Sequence, residues 1–153
     1  MKFYLAGVYH RRKELLGYRR ELEAMGHTST STWLCENFDK EDDEAIKTHK
    51  LPAQARQESV KDVNDVMKAD AMISFYEPKR NIRSSRGGRH IEFGVAIASQ
   101  KRLIVIGVDE KDWDKNENIF YVYPGVEHYT SWNEWKLALA KEFEVPPLTL
   151  VVS

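Results

Sequence analysis

The residues of this chain most able to do chemistry lie in one stretch, Ser84-Ser85-Arg86-Gly87-Gly88-Arg89-His90-Ile91-Glu92-Phe93-Gly94, which closes a polar loop and opens an apolar helix. At a helix N-terminus the free backbone N–H groups and the positive end of the dipole favour an anion. Ser84, Ser85, Arg86, Gly87, Gly88 and Arg89 add hydroxyls, guanidinium groups and close backbone approach, a set suited to a phosphate or a sugar hydroxyl. The same composition also makes an ordinary polar turn, and the pattern is neither a Walker loop nor G-x-G-x-x-G. Glu92 follows among Ile91, Phe93 and Gly94, so burial pushes its pKa up while the helix N-terminus and nearby arginines pull it down. It is either a first-turn acid that stabilises the dipole or a reacting carboxylate.

A second polar cluster, Val8-Tyr9-His10-Arg11-Arg12, follows the first predicted strand and its Gly7; a solvated basic turn accounts for it as well, and for His10 better. Asp62 lies on a predicted helix as an exposed aspartate or an ion-pair partner, and Asp70 caps or turns the same helix. Trp33 could stack on a base, as it could fill a core. The five histidines include no pair at ligand spacing with a carboxylate partner, so no metal and no cofactor is expected.

The elements that position these groups follow from periodicity. Lys2 to Gly7 reads as a buried strand, and Leu15, Tyr18, Leu22 and Met25 as one face of a helix ended by Gly26. His27 to Trp33 reads as an edge or site-facing strand. The charged stretch from Glu36 to Lys50 reads as a long surface loop or a poorly packed helix, of the kind used as a lid or specificity loop. From about Ala53 to Ala69 a helix is predicted with Val60, Val63, Val66 and Met67 as its apolar stripe and Lys61, Asp65 and Lys68 facing elsewhere. Ala71 to Phe75 is a strand, Ile91 to Ala98 a well-buried helix, Leu103 to Val108 a strand and Ile119 to Tyr123 another. A last helix starts at Ser131 with Glu134 in capping-box spacing, carries Trp132, Trp135, Leu139 and Phe143, and ends before Pro146-Pro147. Alternating strands and helices imply an α/β fold: a doubly wound parallel sheet, Rossmann- or flavodoxin-like, flanked by helices. Ligands in such sheets bind at the carboxyl ends of the strands, which groups Gly7 to Arg12, Tyr76 to Gly88 and the first turn of the next helix around one crevice.

Composition narrows the function. The 153 residues fit a single domain. Lys plus Arg (23) nearly equals Asp plus Glu (24), so the net charge of -1 offers no general attraction to a nucleic-acid polymer or an anionic membrane. The single cysteine, Cys35, has no internal disulfide partner, and no apolar run reaches membrane-spanning length; the expectation is a cytoplasmic protein.

Together these pieces resemble the nucleoside 2-deoxyribosyltransferase superfamily, which includes the 2'-deoxynucleoside 5'-phosphate N-hydrolases and related nucleotide N-glycosidases. The likeness is carried by Phe3-Tyr4-Leu5-Ala6-Gly7, by Asp62 with Ala69-Asp70-Ala71-Met72-Ile73, and by Gly88 to Ala98 before Lys101-Arg102-Leu103-Ile104-Val105-Ile106, in that order over most of residues 1–153. The resemblance implies that Glu92 attacks the anomeric carbon to give a covalent glycosyl intermediate. It implies that Asp62 protonates the leaving base or holds the substrate, that Tyr4 orients Glu92, and that Asp70 is structural. The loops from Ser84 to Gly88 and from Tyr9 to Arg12 would hold a 5'-phosphate. Arg86 stands where classical transferases tend to have an acidic residue, which favours a nucleoside monophosphate over a nucleoside. The family also implies a homodimer or higher homo-oligomer with shared active sites, to which Asn118 is the nearest match for the contributed residue. Water as sugar acceptor would make the protein an N-hydrolase, and a second base a deoxyribosyltransferase. The alternative from another class is a nucleotide-binding sensor or regulatory protein that uses the same crevice without turnover.

Overall fold

The computed structural model describes residues 1–34, 52–77, 87–108 and 118–144. Strands β1 (Lys2–Ala6), β2 (Thr28–Ser29), β3 (Ala71–Phe75), β4 (Arg102–Ile106) and β5 (Glu127–Tyr129) form one all-parallel sheet in the order β2-β1-β3-β4-β5. Helices α1 (Arg12–Ala24), α2 (Pro52–Lys68), α3 (Gly88–Ala98) and α4 (Trp132–Glu142) flank it. This is the doubly wound α/β architecture expected, with strand order reversing between β1 and β3.

Side chains alternate across each strand, so β1 divides its residues between two cores. Phe3 and Leu5 join Leu15, Leu16 and Leu22 of α1 and Trp132, Trp135 and Leu139 of α4 on one face. Tyr4 and Ala6 join Val66 and Ala69 from the α2 side, Phe93 and Ala96 of α3, and Tyr121 on the other. β3 is buried along its whole length, as a central parallel strand must be. Asp70 bonds β1 on both sides, its carboxylate accepting from Lys2 N at 2.8 Å and its own N–H donating to Lys2 O at 2.8 Å. Gly26, at φ +86°, ends α1 with His27 N on Leu22 O at 2.9 Å and Gly26 N on Glu23 O at 3.1 Å, which satisfies the last carbonyls of the helix.

Four expectations need correction. The second strand pairs only at Thr28 and Ser29, because Leu5 gives its N–H to Ser31 Oγ at 2.6 Å and its carbonyl receives Trp33 Nε1 at 2.9 Å, so side chains replace the ladder there. Ile119 to Tyr123 is no strand: Ile119–Val122 form a 3-10 turn capped by Asn118 Oδ1, which accepts from Phe120 N at 2.9 Å, and the fifth strand is the polar Glu-His-Tyr segment at the sheet edge. On α2 only Val66 of the expected stripe is buried, while Val60, Val63 and Met67 are exposed; the inward face instead carries Asp62, Asp65 and Val66, continued by Ala69 beyond the helix end. On α3, Phe93 and Ala96 are buried but Ile91 is 65% exposed, so the helix covers the sheet with a narrow stripe.

Ser131 caps α4 as its spacing to Glu134 predicts, and only the return bond of the capping box differs, reaching Thr130 in place of Ser131. Ser131 Oγ accepts from Glu134 N at 3.1 Å, while the Glu134 carboxylate takes Thr130 N at 2.7 Å. Cys35, the proposed lid from Glu36 to Lys50, and Pro146-Pro147 lie outside the described residues. Among those described, no helix is long and apolar enough to cross a membrane.

Candidate active site

The alternation of β1 sends Tyr4 to the face shared by α2 and α3. There its hydroxyl donates to Glu92 Oε1 at 2.7 Å, across 88 positions of sequence. Tyr4 is fully buried and Glu92 partly so. Glu92 Oε2 accepts no hydrogen bond among the described residues, which leaves one carboxylate oxygen available for attack.

Asp62 and Asp65 come from α2 on the same side. Asp65 is buried and held by Thr32, whose N–H donates to Asp65 Oδ2 at 3.0 Å and whose hydroxyl donates to the same oxygen. Asp62 lies one turn earlier and is partly exposed. Burial pushes the Glu92 carboxyl up to about 7; the Tyr4 hydrogen bond pulls it down, and the charges of Asp62 and Asp65 add to the rise. The helix N-terminus and arginines, expected to lower it, do not decide the outcome. Burial and the adjacent Glu92 charge also raise Tyr4, so its hydroxyl stays a donor at neutral pH.

At the far end of β1, Gly7 admits the α1 side chain Leu15: a Cβ there would lie 2.9 Å from Leu15 Cδ2. Tyr9 and His10 are exposed in a 3-10 turn, with the Arg12 guanidinium 4.4 Å from the Tyr9 ring centre. Arg11 is already occupied. It bonds Glu14 through Nε at 2.8 Å and Nη2 at 2.9 Å, and Glu77 Oε2 and Tyr76 O through Nη1 at 3.2 Å each. A phosphate would have to compete with two carboxylates for it.

Trp33 spends its indole N–H on Leu5 O and packs against both cores. Asn118 also has bonds within its own chain: Oδ1 caps the 3-10 turn and Nδ2 lies 2.9 Å from His90 Nδ1. Gly87, at φ +77°, and Gly88 open α3. Ser84, Ser85 and Arg86 lie outside the described residues. The structure therefore brings Tyr4, Glu92 and α2's Asp62 to one face, and places Gly7, Tyr9, His10 and Arg11 on the loop beyond β1.

Sequence reasoning left Asp65, Thr32 and Glu77 without a role here. The spacing of Asp62, Asp65, Val66 and Ala69 at i, i+3, i+4 and i+7 is the signal that could have placed Asp65 inward. An open groove of about 470 Å³ runs along α2 past Arg56, Val60, Lys61, Asn64 and Asp65, but Tyr4 and Glu92 do not line it. Among the described residues no group of three or more His, Cys, Asp or Glu side chains is placed to hold a metal ion.

No family model matches the chain, and no curated protein matches it either. Among solved structures it is similar to the CMP N-glycosidase BcmB of Clostridium botulinum, with a TM-score of 0.55 and 19% identity over 93% of this chain and 99% of that one. At that identity the likeness is one of fold.

Proposed function

We propose that the protein cleaves the N-glycosidic bond of a nucleoside 5'-monophosphate or nucleoside by a retaining double displacement on Glu92. The observation that carries this reading is the buried Tyr4 hydroxyl 2.7 Å from Glu92 Oε1, with Asp62 on the neighbouring helix. The fold likeness to a CMP N-glycosidase supports it.

In the first step Glu92 Oε2 attacks C1' as the bond from C1' to the base nitrogen breaks, and the base leaves with that electron pair and a proton from Asp62. Tyr4 holds Oε1, so the attacking oxygen is presented in one orientation, and the bond passes to the ester carbonyl of the intermediate. In the second step water attacks C1', gives its proton to Asp62 and frees the Glu92 carboxylate, so the sugar keeps its anomeric configuration. A base that enters in place of water turns the same intermediate into a transfer product.

The test is chromatography for free base after incubation with a panel of ribo- and deoxyribonucleosides and their 5'-monophosphates, with and without a second base. Glu92→Ala should lower base release by at least about 10³-fold. Wild-type rates in that variant would remove Glu92 from the mechanism, and tight nucleotide binding without base release would identify a sensor instead.

A further inference from the structure

Asp65 is a buried acid with no part in the two displacement steps. It is 4% exposed, and the segment after β2 holds it: the Thr32 N–H donates to Oδ2 at 3.0 Å and the Thr32 hydroxyl donates to the same oxygen. The Thr30 hydroxyl adds a second tie, donating to the Asp65 carbonyl at 2.7 Å. Buried carboxylates are normally paired with a cation. Among the described residues Asp65 has only these neutral donors, and both that reach its side chain end on Oδ2, so that oxygen acts as an acceptor.

Its neighbours are the reacting groups. Asp62 and Asp65 are three residues apart on α2, so their side chains stand one above the other on the same face. That face meets Tyr4 of β1 and packs against α3, which brings Glu92 and, one turn before it, the buried Arg89. Burial first, and then the charges of Asp62 and Asp65, raise the Glu92 carboxyl. The cations on the same helix as Asp65, namely Arg56, Lys61 and Lys68, are exposed along the open groove, where water and salt screen them.

The chemistry asks for opposite protonation states from two neighbouring carboxyls. Glu92 must be ionised to attack, and Asp62 must hold a proton to give to the base. An aspartic acid in water has lost that proton well below neutral pH. A third carboxylate that stays charged opposes the ionisation of both others, so Asp62 and Glu92 keep one proton between them. Tyr4 decides which of them has it. Its hydroxyl bonds Glu92 Oε1 and favours the anion there, whereas Asp65 stands beside Asp62 on one helix.

Charge then balances through the cycle. As Glu92 Oε2 bonds to C1' its negative charge is consumed in the ester, the base leaves with the electron pair of the bond to C1', and the Asp62 proton follows to the base nitrogen. Asp62 is left charged, so the pair carries one negative charge before the step and one after it. Water reverses the exchange: its oxygen takes C1', its proton returns to Asp62, and the ester electrons return to Glu92.

We propose that Asp65, fixed by Thr32, is a positioning residue whose constant negative charge keeps the transferable proton on Asp62. This role rests on the glycosidase reading for the reaction, and on the packing of Asp65 and Thr32 for the charge.

The test uses the full chain as wild type, Asp65→Asn and Thr32→Val. Asp65→Asn keeps an acceptor for Thr32 and deletes the charge; Thr32→Val deletes one donor and lets the proton settle partly on Asp65. The pH dependence of kcat/KM is followed on a nucleoside or nucleotide that releases base and on its counterpart methylated at a ring nitrogen, whose base is already cationic and leaves without a further proton. With the ordinary substrate Asp65→Asn should move both limbs of the pH profile down by about one unit, which above the falling limb is a loss of about tenfold. The methylated substrate needs only ionised Glu92, so with it Asp65→Asn should gain at low pH. Thr32→Val should show the same selective loss at a smaller size. Carbon-13 NMR of the aspartate carboxyls without substrate, assigned with Asp62→Asn, should place the Asp62 titration about one unit lower in Asp65→Asn. Equal losses on both substrates, limbs that stay in place, or an Asp62 titration indifferent to Asp65 would each overturn the proposal, because an acid that only braces α2 gives those results. If no substrate releases base yet the Asp62 titration moves with Asp65, the arrangement of charge stands and the glycosidase reading fails. If base is released and the Asp62 titration stays in place, the reverse holds.

Discussion

The two faces of the sheet are built to different rules. On the face of α1 and α4, Tyr18 stacks at 4.3 Å on Trp132 and at 5.4 Å on Phe75, and Trp135 meets Phe3 edge to face at 5.3 Å. On the face of α2 and α3 the side chains that reach inwards include Asp62, Asp65, Arg89 and Glu92, set beside Tyr4, Met72, Phe93, Leu103 and Tyr121. The first face is a core of aromatic and aliphatic side chains; the second mixes ionisable groups into its apolar core, Asp65 and Arg89 buried and Asp62 and Glu92 partly so. One strand, β1, serves both, with Phe3 and Leu5 on one side and Tyr4 on the other. Stability and chemistry should therefore separate by face when residues are changed.

The largest expected effect is on the apolar face. Trp135 is 1% exposed, and Trp135→Ala removes its contacts with Phe3 and Trp132. A loss of about 3–5 kcal/mol is expected, seen as a thermal midpoint lower by roughly 10 °C, with activity per folded molecule unchanged. A parallel loss of activity in the surviving folded protein would mean that the two faces are not independent.

The opposite sign is expected on the other face. Glu92 ionises near its ordinary 4.5 in the unfolded chain and near about 7 in the fold. Its protonated form is thus favoured by folding: the contribution is present in full below pH 4.5 and is lost as the pH rises through 7. Glu92→Gln, which keeps an acceptor for Tyr4, should be more stable than the wild type by on the order of 3 kcal/mol at pH 8 and by little at pH 4. Thermal melts at the two pH values decide it; a gain that does not change with pH would show that burial of the charge is not what costs stability.

How much of this was legible in the sequence differs between the faces for the same reason. Strands β1, β3 and β4 are apolar and continuous, so their pattern shows through, and α1 announces its end with Gly26. α2 misleads because hydrophobicity alone would turn Val60, Val63 and Met67 inwards, whereas the fold turns Asp62 and Asp65 inwards beside Val66. Where a face is used for chemistry, the rule that apolar side chains mark the interior fails. β5 was missed because an edge strand of three partly exposed residues has no apolar period to show. Glu92 stood out by its short motif, and Tyr4 only through a resemblance, since a tyrosine in a buried strand carries no mark of the partner it meets. Arg89 was visible as a cation beside two glycines, but its burial, with no acceptor for Nε or Nη1 among the described residues, is a property of packing that spacing does not contain.

The smallest expected effect isolates the bond that joins β1 to α3. Tyr4→Phe keeps the ring in its core and deletes the hydroxyl that donates to Glu92 Oε1. That hydrogen bond pulls the Glu92 carboxyl down, so its loss moves the carboxyl further above about 7 and leaves less of it ionised at neutral pH. A nucleophile that must be ionised gives kcat/KM that rises with pH and levels off above its pKa. In Tyr4→Phe the rising limb should move to higher pH, with a loss of about tenfold at pH 7 that narrows as the pH is raised. If the hydroxyl only aims the carboxylate, the loss will be the same at every pH and the limb will not move. The pH profile of this one variant therefore separates a tyrosine that tunes Glu92 from one that merely holds it.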